Sequence, residues 1–173
     1  MILQPGARYW FKAWPPERFA ELADRLASRY SCQVLIGGSR QEDDLVKQIR
    51  QMAKCNPIIM AGRTTIKQFA AIAKKSALFV GNDSGAMHIA SAVGTPVVAL
   101  FGPSSPREWG PRGGPVEVVY KEIDCRSCFH PTCTRGEENC MRLIAVHEVF
   151  AAAQRLLLVG NPCCAASSSS SEH

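Results

Sequence analysis

The stretch from Leu78 to Phe101 constrains the fold of this chain most strongly. It reads LFVGNDSGAMHIASAVGTPVVALF: an apolar run, a polar turn, a helix of small residues and a second apolar run. Short apolar runs bounded by turn residues are typical of buried strands. Because parallel strands need a helical crossover between them, this order predicts a unit of parallel sheet.

The turn inside this stretch, Asn82–Gly85, joins a strand to a helix. Asp83 or Ser84 is expected to cap the helix by accepting a hydrogen bond from its first N–H groups. The remaining N–H groups and the positive end of the helix dipole favour an anion. Since the Asp83 carboxylate repels phosphate, the turn suits a ligand that carries both phosphate and hydroxyl groups, such as a nucleotide-linked sugar. For the turn taken alone, a plain helix cap is the simpler interpretation.

The rest of the chain repeats the alternation of strands and helices. Strands are predicted at residues 1–3, 34–36, 57–60, 78–80, 96–100 and 116–120. Helices are predicted to begin at the Pro15–Glu17 segment and to cover 41–52, 64–74, 88–93 and 146–158. Short connections between alternating elements predict an α/β fold with a Rossmann-like, doubly wound parallel sheet.

Four polar clusters follow the first four predicted strands. They are Arg8–Lys12, Gly37–Arg40, Gly62–Thr65 and Asn82–Gly85. In sheets of this kind the carboxyl ends of the strands share one edge, where ligands bind, so we expect the clusters to converge there. The first strand is not followed by GxGxxG and the sequence contains no GxxxxGKS/T, which excludes an ordinary dinucleotide site and a P-loop.

Size and charge narrow the class of protein further. The 173 residues suit one domain, assigned to residues 1–160, with a Ser-rich tail at 161–173 that is predicted to be disordered. The net charge of +5 suits a phosphate-bearing ligand or an anionic membrane face. Lys and Arg are scattered, which argues against nucleic acid as a partner.

Neither a membrane span nor a secretion signal is predicted. No apolar run approaches the ~20 residues that a spanning helix needs. The first ten residues lack a charged segment followed by an apolar one. The chain is therefore expected in the cytoplasm, and peripheral contact with the inner membrane face stays open.

Four of the eight cysteines cluster in one segment, at Cys125, Cys128, Cys133 and Cys140. The segment is compact enough for one tetrahedral metal site, because thiolates bind zinc or iron–sulfur clusters and a reducing compartment disfavours disulfides. His130 is an alternative ligand. The spacing is not the paired CxxC of a strong zinc motif, so free or disulfide-bonded cysteines in a surface loop are the competing interpretation.

Several longer motifs resemble one known family. They are PGA at 5–7, KAWP at 12–15, GG at 37–38, NDSGAMHIASAVGTPVVALFGPSSP at 82–106, and the four-cysteine segment. Over residues 1–158 the chain resembles the C-terminal half of glycosyltransferase family 9, the lipopolysaccharide heptosyltransferases, and most of all the type II enzymes. The long Asp-Ser-Gly segment is specific, whereas KxWP alone is weak.

The resemblance implies a GT-B architecture, in which two Rossmann-like domains face each other across a cleft. The C-terminal domain would hold ADP-heptose, and the N-terminal domain would bind the inner-core acceptor and supply the carboxylate base for an inverting transfer. This chain begins at the C-terminal domain, so it is expected to be inactive alone. A glycosyltransferase that uses another nucleotide sugar and a non-catalytic nucleotide-binding module are the alternatives.

The same resemblance implies roles for individual residues. Lys12 would stabilise charge on the leaving ADP, although spacing alone favours a solvated lysine. Asp83 would accept hydrogen bonds from heptose hydroxyls. His88 either contacts the site or holds the turn. The substrate-binding residues implied in this way are Gly6, Ala7, Thr64, Thr65, Ile66, Ser84, Gly85 and His88.

The resemblance also bears on three further features. The chemistry is expected to need no cofactor, so zinc at the cysteine cluster would be structural. The Phe101–Ser104 segment after the fifth strand is expected to border the cleft. For Glu42 a solvated helix face is favoured over a contact with ribose.

Overall fold

The computed structural model describes residues 1–123, 125, 133 and 135–160. The described part contains a six-stranded sheet in the order β3-β2-β1-β4-β5-β6, in which every neighbouring pair is parallel. The strands are β1 (Ile2–Gln4), β2 (Leu35–Ile36), β3 (Ile58–Ile59), β4 (Phe79–Asn82), β5 (Val97–Phe101) and β6 (Val116–Tyr120). The predicted parallel α/β sheet is confirmed.

Helices connect the strands and follow the last one. They are α1 (Pro16–Tyr30), α2 (Asp43–Met52), α3 (Ile66–Lys74), α4 (Gly85–Ala92), α5 (Pro106–Trp109), α6 (Cys140–Leu143) and α7 (Val146–Gly160). Single 3-10 turns lie at Trp10–Lys12, Arg40–Glu42 and Gly136–Glu138. None of the described helices is long and apolar enough to cross a membrane.

Apolar side chains cover both faces of the sheet, which is the doubly wound arrangement that the sequence predicts. In β4, Val80 packs into one core cluster with α1, α2 and α7, while Phe79 packs into a second cluster with α3 and α4. Neighbouring strand residues point to opposite faces, so both are buried only when helices lie on both sides. Both side chains are fully buried.

The bounds of several elements differ by a few residues from their predictions, and two of these differences have a clear local cause or position. The helix predicted at 41–52 starts with a 3-10 turn, and α2 begins only at Asp43. The start of the 3-10 turn is fixed by a capping box, in which the Ser39 N–H donates to Glu42 Oε2 at 2.6 Å. The strand predicted at 57–60 is shortened to the two residues of β3, which forms the sheet edge. The tail predicted at 161–173 lies outside the described residues.

The strand order reverses between β1 and β4, which are neighbours in the sheet but far apart in sequence. The chain leaves β1 towards β2 on one side and leaves β4 towards β5 on the other. Such a switch point opens a crevice at the carboxyl ends of its two central strands. The site described next lies at this crevice.

Candidate functional site

A cavity of about 340 Å³ lies at the carboxyl edge of the sheet. Residues from the segments after β1, β2, β3 and β4 line it together, as the convergence of polar clusters predicts. The lining residues are Gln4, Gly6, Ala7, Arg8, Gly37, Gly38, Ser39, Glu42, Met60, Thr64, Thr65, Ile66, Phe69, Ser84, Gly85, Ala86 and Ile89.

An ion pair lies at the same edge of the sheet. Lys12 Nζ is 2.7 Å from Asp83 Oδ2, and the two side chains are 23% and 10% exposed. Lys12 ends the 3-10 turn that follows β1, and Asp83 follows β4, so the pair spans the switch point. Asp83 directly precedes Ser84 and Gly85, which line the cavity. The structure thus brings together an ammonium, a carboxylate and the start of α4.

Buried Asn82 fixes the two loops that carry this pair. Its Nδ2 donates to the Pro5 carbonyl oxygen at 2.7 Å, and its Oδ1 accepts from the Trp14 N–H at 3.1 Å. The side chain is fully buried. Lys12 lies two residues before Trp14, so Asn82 holds the lysine-bearing loop against the end of β4. Sequence reasoning assigned Asn82 only to the turn and missed this connection.

The expectation that Asp83 or Ser84 caps α4 with its side chain is wrong. Ser84 occupies the N-cap position, but its Oγ is buried and has no hydrogen-bond partner in the described part of the chain. The Asp83 carboxylate is held by Lys12 and by the Ser104 hydroxyl instead. Tertiary partners thus outcompete the local cap, and no side chain of the described residues caps the first N–H groups of α4.

Thr64, Thr65 and Ile66 form one wall of the cavity. Thr65 caps α3: its Oγ1 accepts from the Gln68 N–H at 3.3 Å, and the Thr65 N–H donates to Gln68 Oε1 at 2.9 Å. Thr65 is thus a helix cap, while Ile66 is 74% exposed and does not belong to the core.

Gly6, Ala7 and Glu42 line the same cavity. A Cβ at Gly6 would overlap the Glu42 carboxylate, so the end of the Glu42 side chain lies directly beside Gly6. Glu42 is one of the cavity residues that the sequence interpretation placed on a solvated helix face. The capping-box spacing of Ser39 and Glu42 was the available signal, because it turns the carboxylate back towards the loop.

His88 is exposed on α4 and is absent from the cavity lining. Within residues 1–123 and the other described positions, no hydrogen bond joins it to the Asn82–Gly85 turn. The structure therefore places the other substrate-binding candidates around the cavity and His88 outside it.

Three of the four clustered cysteines meet. Cys125, Cys133 and Cys140 line a small space of about 10 Å³ with Gly102 and others, behind the loop that follows β5. Burial raises the pKa of the Cys140 thiol. Cys128 and His130 lie outside the described residues, and the described positions alone contain no group of three metal-binding side chains arranged around one ion.

Comparison with known proteins finds relatives that all belong to the same class of enzyme. The profile described as glycosyltransferase family 9 (heptosyltransferase) matches residues 1–138. The lipopolysaccharide heptosyltransferase 3 of Escherichia coli is 33% identical over 162 residues, which are 91% of this chain and 46% of that protein. The chain thus spans about half the length of the curated relatives it matches.

Two solved structures share the fold. The E. coli ADP-heptose lipopolysaccharide heptosyltransferase II is 29% identical with a TM-score of 0.78, over 91% of this chain and 46% of that one. A family 9 glycosyltransferase from Veillonella parvula is 27% identical with the same TM-score and coverage. Together with the matched profile and the cavity at the switch point, these relatives show that the chain belongs to glycosyltransferase family 9.

Proposed function

We propose that this chain is the donor-binding half of a lipopolysaccharide heptosyltransferase and that its donor is ADP-heptose. The Lys12–Asp83 pair beside the start of α4 carries the proposal, because it combines a cation for phosphate with an acceptor for sugar hydroxyls. The relatives, which include the E. coli ADP-heptose lipopolysaccharide heptosyltransferase II, support this choice of donor.

In this proposal the diphosphate lies at the N-terminus of α4. The N–H groups of Ser84 and Gly85 and the buried Ser84 hydroxyl bind it, since no side chain among the described residues caps these groups. The adenosine fits the cavity of about 340 Å³, against the wall formed by residues 64–66. Glu42, whose carboxylate lies beside Gly6, is the natural acceptor for a ribose hydroxyl.

The proposed reaction breaks the bond between the sugar carbon and the phosphate oxygen of ADP. The electron pair stays on ADP, where the Lys12 ammonium stabilises the growing charge. The acceptor hydroxyl forms the new bond and gives its proton to a base that lies outside this chain. Asp83 accepts hydrogen bonds from the donor sugar and so orients it.

The acceptor is proposed to be a sugar of the lipopolysaccharide inner core, bound by residues outside the part of the longer relatives that this chain matches. On this view the residues described here bind the donor, and transfer also requires the residues that bind the acceptor. The reaction would take place in the cytoplasm, at the inner face of the membrane that holds the acceptor.

Titration calorimetry tests the choice of nucleotide. We expect the chain to bind ADP and ADP-heptose, and to bind UDP and UDP sugars at least about tenfold more weakly. Tight binding of UDP sugars without ADP binding would overturn ADP-heptose as donor but keep a glycosyltransferase. Binding of neither class would overturn the donor-binding role itself.

We also propose a structural zinc ion bound by Cys125, Cys128, Cys133 and Cys140. Zinc is commonly held by four thiolates, and Cys125, Cys133 and Cys140 line one small space, although these three alone do not surround an ion. Elemental analysis of purified chain is expected to find about one zinc per molecule. A Cys133→Ser variant is expected to lose it, whereas Cys32→Ser, a change on the opposite part of the fold, keeps it. Purified protein without zinc or iron would contradict a metal site.

A further inference from the structure

Ser104 makes a second hydrogen bond to the carboxylate of the Lys12–Asp83 pair. Its hydroxyl donates to Asp83 Oδ2 at 2.6 Å, and Lys12 Nζ donates to the same oxygen at 2.7 Å. Within the described part of the chain, no hydrogen bond involves Asp83 Oδ1. Oδ2 is thus occupied by hydrogen bonds within the protein, whereas Oδ1 is available to accept a hydrogen bond from a ligand.

The β5 end holds Asp83 at two points. The Asp83 N–H donates to the Leu100 carbonyl oxygen at 3.1 Å, while Ser104 reaches the side chain from the loop four residues further on. The backbone hydrogen bond fixes the position of the Asp83 main chain, and the hydrogen bond from Ser104 limits rotation about the side-chain torsions. An ion pair with Lys12 alone would orient the carboxylate less narrowly.

The loop that carries Ser104 packs against the start of α6. Gly102 is buried, and a Cβ at this position would lie 2.6 Å from Met141 Sδ and 3.2 Å from Cys140 Sγ. The start of α6 therefore lies directly against the loop between β5 and Ser104. This packing keeps the serine hydroxyl in reach of Asp83 without a contribution from a ligand.

We propose that Ser104 is a positioning residue that orients Asp83 for the donor sugar. This inference rests on the proposed function. By holding Oδ2 together with Lys12, the serine leaves Oδ1 to accept a hydrogen bond from a sugar hydroxyl. Ser104 itself touches neither the nucleotide nor the reacting atoms, so it contributes to recognition of the sugar and not of ADP.

The test compares Ser104→Val with Ser104→Thr, which have the same shape but differ by one hydroxyl. Calorimetry measures the affinity of the full 173-residue chain for ADP and for ADP-heptose. We expect Ser104→Val to weaken ADP-heptose binding about tenfold and to change ADP binding less than about twofold. Ser104→Thr is expected to match the unchanged protein with both ligands, and so is Ser105→Ala, the neighbouring serine.

A double-mutant cycle shows whether Ser104 acts through Asp83. Once Asp83→Ala has removed the carboxylate, Ser104→Val is expected to have no further effect on ADP-heptose binding. Equal affinities for ADP-heptose in Ser104→Val and Ser104→Thr would overturn the inference, as would an equal loss for ADP. If the unchanged chain binds ADP but gains nothing from the sugar, the role of Asp83 fails and that of Ser104 with it. If it binds neither ligand, the donor-binding function fails first.

Discussion

Replacing Lys12 by Met is expected to lower the rate of heptose transfer by about 10²–10³-fold in a two-domain enzyme that carries this chain as its second half. Met keeps the length and the apolar stem of lysine but removes the ammonium. In the proposed reaction charge grows on ADP as the glycosidic bond breaks, so we expect the loss to fall mainly on kcat. The measurement is the initial rate of sugar transfer at saturating donor and acceptor.

The matched control is Lys75→Met, which removes the same charge from an exposed position at the far end of α3. We expect it to leave the rate within about twofold of the unchanged enzyme. A Lys12→Met enzyme that transfers heptose at the unchanged rate would remove this lysine from the mechanism. The Lys12–Asp83 pair would then be a structural contact only.

The second large effect concerns the stability of the fold. Asn82→Ala is expected to lower the free energy of unfolding by about 2–4 kcal/mol, and Tm by about 5–15 °C. The change leaves the Trp14 N–H and the Pro5 carbonyl oxygen buried without their partner, and each such group costs its desolvation energy. Urea unfolding followed by circular dichroism measures the difference.

A second substitution at Asn82 and a control at Gln51 test the same role of Asn82. Asn82→Asp keeps an acceptor for the Trp14 N–H but buries a carboxyl group that can donate to the Pro5 carbonyl oxygen only while it is protonated. Burial favours the neutral form of that carboxyl, so the variant is expected to lose more stability as pH rises through its pKa. Gln51→Ala, a change on the exposed side of α2, is expected to stay within about 0.5 kcal/mol. An Asn82→Ala protein as stable as that control would contradict the bracing role.

The sheet could be predicted from the sequence because its signals are local. Short apolar runs separated by helices of about ten residues admit few arrangements other than a parallel sheet covered on both faces. The segment Leu78–Phe101 contains a strand, a crossover helix and the next strand in sequence order, and β4, α4 and β5 form there. The short strands β2 and β3 were both predicted too long.

The details of the site could not be predicted as well from the sequence, because they depend on contacts between residues that are far apart in the chain. Asp83 and Ser84 both have good capping chemistry, yet neither side chain caps α4, since Asp83 meets Lys12, 71 residues away in sequence. Asn82 reaches Pro5, 77 residues away. Local propensity cannot reveal such partners: the convergence of strand ends placed Lys12 and Asp83 at the same edge of the sheet, but it did not predict that their side chains pair.

Because the strand order reverses between β1 and β4, the ligand site forms only after two strands that are far apart in sequence have paired. Lys12 follows β1 and Asp83 follows β4, so a segment that contains only one of these strands carries only half of the charged pair. Long-range pairing of this kind is slow relative to local helix formation. A nucleotide that binds only the finished crevice therefore stabilises the chain after its central strands have joined, and its binding reports that this step is complete.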